Sequence, residues 1–228
     1  MKKTKRKKNI ETRKHKALRR ALICLGVLVI FSVLHLYTFT PMQGVRQSEA
    51  EAGTGQTYLI RHMGGEKWNE RDYMTANENA ILITRVTFYP LLGWSGRPFG
   101  ILDCADGGDF QATSLVWRNY DDKANRCIIC GRLRSREVMG IRAEGHWDEE
   151  SEKIRTLPEV TISGGPEIWT EKDGWRYFFA ESTVPDTENG EMAYPTEMTV
   201  TTLDKAGNPL RQYKGSTYER FIPVDEPQ

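Results

Sequence analysis

The chain has 228 residues, of which 39% are hydrophobic and 28% charged, with a formal net charge of +1. That apolar content supports a folded core and excludes a wholly disordered chain, while the length leaves room for one large domain or two small ones. The near-neutral total hides a segregation: residues 1–20 hold eleven Lys and Arg against one Glu, roughly +10, leaving about −9 for the rest. A basic start beside an acidic body points to nucleic-acid contact or to membrane orientation.

The next segment favours the membrane. Residues 21–39, ALICLGVLVIFSVLHLYTF, contain no formally charged side chain. As a helix rising ~1.5 Å per residue they span close to 30 Å, about the thickness of a hydrocarbon core. Basic residues crowd the N-terminal flank, which places residues 1–20 in the cytoplasm and the remainder outside the cell membrane. The expectation is a single-pass transmembrane helix with the lipid bilayer as partner at 21–39, Tyr37 and His35 lying near its outer interface. Orientation accounts for the lysines, so no nucleic acid is expected. A cleaved signal peptide is the alternative; its apolar region is usually ~7–15 residues, and the small-residue pattern at Ala50 and Ala52 lies well past Phe39. Lipid attachment at Cys24 is less favoured, because no small residues stand just before it.

Residues 40–56 read as a flexible linker, with Pro, Gly, Ser and Glu and no apolar period. Beyond it, short β-like runs alternate with Gly, Pro, Asn and Asp. Strands are expected at Thr57–His62, Ala80–Tyr89, Phe99–Asp103, Ala112–Trp117, Cys127–Leu133, Val138–Glu144, Glu159–Ser163, Gly174–Glu181, Glu197–Asp204 and Leu210–Tyr213. Trp175, Tyr177 and Phe179 share one face by alternation. A weak helix is expected around Trp68–Asn79. The spacing predicts an all-β fold of sandwich or barrel type. The β-rich exterior divides near residue 122 into a region at 57–122 and a second at 123–215, followed by a tail at 216–228.

The second region runs through ICGRLRSREVMGIRA, GWRYFF and MTVTTLDKAGNPLRQY. It resembles bacterial immunoglobulin-like domains, in which a strand ending in Gly precedes a short turn and a strand of the "V..I.A" kind. A final hairpin there carries an Asp-x-x-Gly-Asn turn, here Asp204 to Asn208, with Gly207 and Asn208 suited to positive φ. The resemblance implies an immunoglobulin-like β-sandwich over 123–215. The whole arrangement also looks like small exported proteins of Gram-positive bacteria.

Chemistry-bearing residues are few. Cys104, Cys127 and Cys130 lie outside the apolar segment, an odd number that permits one disulfide, between Cys104 and Cys127 or Cys130. Cys127 and Cys130 match the C-x-x-C spacing of redox and zinc sites. In a strand, however, positions three apart point to opposite faces, and the pair lacks the helix N-terminus that lowers a redox thiol's pKa. Zinc would need further ligands such as Cys104 with His62 or His146.

Asp103, Asp106 and Asp109 around Gly107-Gly108 offer a calcium-type oxygen set, with a solvated turn as the bland reading. Neither His62 nor His146 accompanies a nucleophile elbow or a His-Glu-x-x-His motif. Of six tryptophans, Trp117 and Trp175 read as core, and Trp147 as the best candidate for an exposed binding ring.

No cofactor and no catalytic residue are expected. The function that follows is a membrane-anchored, non-catalytic interaction or sensing module at the cell surface, meeting a surface protein or a cell-wall partner. The alternatives are an extracytoplasmic enzyme or thiol- or metal-dependent factor using Cys104, Cys127 and Cys130, and a secreted protein released near Gly53.

Overall fold

The computed structural model describes residues 2–33, 38–65, 67–105, 108–119, 124–147, 155–156, 160–163, 170–185 and 197–224. Among the described residues, two helices precede fourteen strands arranged in three antiparallel sheets. The first helix, α1 (Lys2–Val33), joins the basic start and part of the apolar run in one rod. The described part of its apolar portion, Ala21 to Val33, is thirteen residues, roughly 20 Å at ~1.5 Å per residue against the ~30 Å of a hydrocarbon core. Among the described residues no helix is long and apolar enough to cross a membrane. This corrects the expected transmembrane helix over 21–39. The outer end of that run belongs to the folded body instead. Thr38 is 7% exposed, pairs with Gly93, and exchanges backbone hydrogen bonds with Leu92 and Trp94. His35 and Tyr37 lie outside the described residues.

Residues expected to form a linker contain α2 (Pro41–Ala52). Its start is fixed by a capping box. Gln43 N–H donates to Thr40 Oγ1, Gln43 Oε1 accepts from Thr40 N–H, and Pro41 occupies the first turn. Its end is fixed by Gly53 in the left-handed region at φ 66°. Both signals were present in a stretch whose polar composition hid them. The helix packs on β4 (Gly93–Asp103) and β3 (Ala80–Tyr89). Val45, fully buried, joins Tyr73 and Val86 there. Gly44 and Gly96 make the approach close: a Cβ on Gly96 would stand 2.0 Å from the Gly44 carbonyl oxygen.

The first sheet is a meander, β1 (Tyr58–Gly64), β2 (Glu70–Ala76), β3 and β4, in that order. Where a weak helix was expected after Trp68 the chain forms β2. The run Asp72-Tyr73-Met74-Thr75-Ala76 is buried throughout, because α2 covers one side and the second sheet the other.

The second sheet runs β10 (Thr170–Lys172), β11 (Trp175–Pro185), β6 (Ala124–Leu133), β5 (Phe110–Asn119). The third has β14 (Ile222–Pro223), β13 (Pro209–Gly215), β12 (Glu197–Leu203) and β7 (Gly140–Trp147), with β8 (Arg155–Thr156) and β9 (Val160–Ser163) both on β7. The expected division near residue 122 falls between β5 and β6, which pair from Phe110↔Leu133 to Asn119↔Ala124. Both halves of the chain therefore contribute strands to one sheet.

The second sheet is the middle layer. Ile60, Met74, Ile81 and Ile83 of the first sheet pack on one of its faces, against Leu115, Ile128, Cys130, Trp175 and Tyr177. Ile141, Met198, Val200 and Tyr213 of the third sheet pack on the other, against Phe110, Ala112, Cys127, Ile129 and Phe178. Being covered twice, β6 is buried at every residue from Cys127 to Leu133. Such a strand reads as a continuous apolar run and not as an alternation. The Asp204–Asn208 turn closes the β12–β13 hairpin. Asp204 Oδ1 accepts from the backbone N–H groups of Ala206 and Asn208, each at 2.8 Å, and Gly207 takes a positive φ of 85°. Asn208 keeps a negative φ and donates its side-chain amide to Asp204 Oδ2 instead.

Candidate interaction surface

The three thiols of the body are buried and free of disulfides, and they divide between two cores. Cys127 points into the core shared with the third sheet, while Cys130 and Cys104 lie in the core shared with the first. Opposite pointing of Cys127 and Cys130 follows directly from their spacing on β6. Burial pushes the Cys104 thiol up to about 11 and those of Cys127 and Cys130 up to about 12. They are protonated at neutral pH, and a protonated thiol is neither nucleophile nor good metal ligand. Among the described residues no three His, Cys, Asp or Glu side chains gather as a metal site.

Two of the three aspartates, Asp103 and Asp109, make local contacts at the ends of their loop. Asp103 Oδ1 accepts from the Ala105 N–H at 2.9 Å, an Asx turn. The Asp109 carbonyl accepts from the Arg134 N–H, also at 2.9 Å, tying the loop to the end of β6. Asp106 lies outside the described residues, as do the side chains of His146, Trp147 and Trp117. His62 is exposed on β1, its ring 5.0 Å from that of Tyr73. A cavity of about 280 Å³ opens between the second and third sheets, lined by Asp109, Phe110, Glu137, Arg211 and Tyr213 among others. Phe110 and Tyr213, both lining it, stack with ring centroids 4.0 Å apart.

The most unusual buried group is a cation. Arg132, 1% exposed, faces the first core from β6. Its guanidinium donates to Gln111 Oε1 at 2.6 Å and to the carbonyls of Asn77, Glu78 and Cys104 at 2.8–3.3 Å. The ring of Trp175 lies 4.1 Å from its Cζ and 4.2 Å from that of Arg134. Its three backbone acceptors are supplied by the β2–β3 turn and the end of β4, so this arginine stitches the first sheet to the second. Trp175 is thus a core residue, as its alternation indicates, and Tyr177 shares its face.

The surface that stands out is one end of the first sheet. The β1–β2 turn and the β3–β4 turn project side by side, because Asn69 pairs with Phe88 through a backbone bond of 2.7 Å and a side-chain bond of 3.2 Å. Trp68 on the first turn is 80% exposed; Tyr89, Leu91 and Leu92 on the second are 47%, 89% and 62% exposed. Phe39, at 41%, stands beside them through the Thr38–Gly93 pairing. Arg71 braces the first turn by donating to the Trp68 carbonyl at 3.1 Å and the Glu70 carbonyl at 2.6 Å. Sequence reasoning directed attention to Trp147 and passed over this cluster. The available signal was Tyr89-Pro90-Leu91-Leu92-Gly93, a hairpin turn with leucines where turns ordinarily carry polar residues.

No family model matches the chain, and comparison with curated proteins and with solved structures finds no relative.

Proposed function

We propose that the protein is a membrane-attached, non-catalytic interaction module, its β body presented to a surface protein or cell-wall partner. One observation carries this reading. The apolar half of α1 is exposed on all sides, with Leu22, Ile23, Leu25, Val27, Leu28, Val29 and Ile30 each 46–59% accessible. A helix that is apolar all round needs an apolar surrounding, and lipid supplies it. The basic half supplies attraction to anionic headgroups, each Lys or Arg near such a surface contributing about 1 kcal/mol. Attachment raises the local concentration of the body near its partners.

Two alternatives are less well supported. A thiol-dependent factor needs accessible thiolates, whereas Cys104, Cys127 and Cys130 are buried and protonated at neutral pH. Release by cleavage near Gly53 would strip away α2, whose Val45 fills a core pocket. The test is crosslinking of the tagged full chain in native membranes, with a chain ending near Gln56 as control. A partner enriched only with the full chain supports the module; recovery of the full chain entirely in the soluble fraction sinks it.

A further inference from the structure

We propose that the exposed end of the first sheet, formed by Trp68, Tyr89, Leu91, Leu92 and Phe39, docks into the interfacial layer of the bilayer that α1 enters. The inference rests on the membrane-attached reading above and adds a second point of contact. It makes α1 and the β body a two-point clamp, with the body held at a set tilt and not free to swing.

Placement is the first argument. Val33 is the last described residue of α1, and Thr38 is already hydrogen-bonded to Leu92 and Trp94. Five residue steps lie between them, at most about 18 Å of extended chain. Any surface that takes up the apolar half of α1 is therefore within reach of the two turns beside Thr38.

Side-chain chemistry is the second. Trp and Tyr concentrate at membrane–water interfaces, where an amphipathic ring has both an apolar and a wet side. Trp68 and Tyr89 supply such rings, and Leu91 and Leu92 supply purely apolar projections between them. Lys67, exposed one position before Trp68, stands where a cation meets headgroup phosphate.

Shape is the third. The most exposed of these residues, Trp68, Leu91 and Leu92, occupy turn tips and project from the body. Projecting apolar tips suit a soft surface that closes around them. The basic half of α1 gives that surface its sign, an anionic lipid headgroup layer.

The experiment uses the full chain and vesicles of phosphatidylcholine with phosphatidylglycerol, unbrominated or brominated on the acyl chains. Co-sedimentation reads attachment, and bromolipid quenching of tryptophan fluorescence reads depth. Wild type is expected to sediment and be quenched, and Trp68→Phe to sediment equally while losing the larger share of the quenching. The double variant Leu91→Ser/Leu92→Ser should keep its thermal midpoint, still sediment through α1, and lose quenching at Trp68. Sedimentation without any difference between wild type and Trp68→Phe overturns the docking and leaves attachment standing. Failure to sediment overturns attachment and the docking with it. Concentration-dependent dimerisation without vesicles, abolished by the serine variant, assigns the surface to a second copy and overturns the lipid contact.

Discussion

Two short apolar stretches of this chain have opposite fates. Cys127–Leu133 of β6 is buried at every position, whereas Tyr89–Leu92 at the β3–β4 turn is exposed at every position. Hydrophobicity does not separate them; layering does. The strand lies between two other sheets and finds neighbours on both faces, while the turn stands beyond the end of the sheet, where no layer reaches. An apolar residue inside a layered body reports a core. One left outside it on a projecting turn reports a contact with something else.

The sharpest way to break the interior half of that contrast is at Arg132, the polar exception among the buried β6 residues. Arg132→Met removes the donors of four hydrogen bonds and leaves Gln111 Oε1 and three carbonyls without them in a buried setting. The expected loss is about 4 kcal/mol, read as a lower urea midpoint with the unfolding slope unchanged. A loss below about 1 kcal/mol would mean that water reaches those carbonyls and that the first and second sheets are less tightly joined than described.

Gly131→Ala comes next. A Cβ there would sit 2.3 Å from the Gln111 carbonyl oxygen and 2.7 Å from Phe178 Cζ. Backbone lies on one side and a packed ring on the other, so overpacking of about 2–3 kcal/mol is expected. Phe178→Leu in the same chain should restore part of it, because the shorter side chain vacates the Cζ position. Additive losses in the double variant would show that the ring is not the obstacle.

The strand positions were legible where periodicity or β-branched runs spoke clearly. Each of the ten expected strands meets a strand of the structure, and Trp175, Tyr177 and Phe179 share a face as alternation requires. What escaped was whatever depends on a neighbour. The β2 sequence Glu-Arg-Asp-Tyr-Met-Thr-Ala carries charges because Asp72 meets Arg85 across the strand pair, in two bonds of 2.8 Å. Alone it has no strand period. The apolar run to Phe39 suggested a membrane crossing because its sequence does not show that Thr38 pairs with Gly93. The candidate surface was hidden for the same reason. Trp68 and Leu91 are far apart in sequence, and only the β2–β3 register brings their turns together.

Glu49 tests the helix that composition disguised as a linker. Its carboxylate, 4% exposed, accepts from the Thr57 N–H at 2.9 Å and from the Arg46 guanidinium at 2.7 Å, fastening α2 to the start of β1. Burial alone would raise its pKa, but the bonds from Arg46 and Thr57 outweigh that and hold it below the ordinary 4.5. A carboxyl depressed in the folded state stabilises fully above its unfolded pKa, and that contribution is lost as pH falls through the folded value. Glu49→Gln is therefore expected to cost about 1–2 kcal/mol at pH 7 and progressively less below pH 4.5. Parallel wild-type and variant curves across that range would show that the ion pair does not couple to folding.

The smallest effect is expected at the exposed turn, and its smallness is the informative part. Leu91, 89% exposed, contributes little buried area to the body, so Leu91→Ser should change stability by no more than about 0.5 kcal/mol. Leu→Ala at a buried core position loses about 2–5 kcal/mol. A large loss at Leu91 would mean that the turn packs against the body in solution, and the contrast between covered strand and bare turn would collapse. A negligible loss leaves an apolar tip with no role in holding the fold together. Its chemistry then has to be explained by what it touches outside the chain, which is the contact the lipid experiment measures.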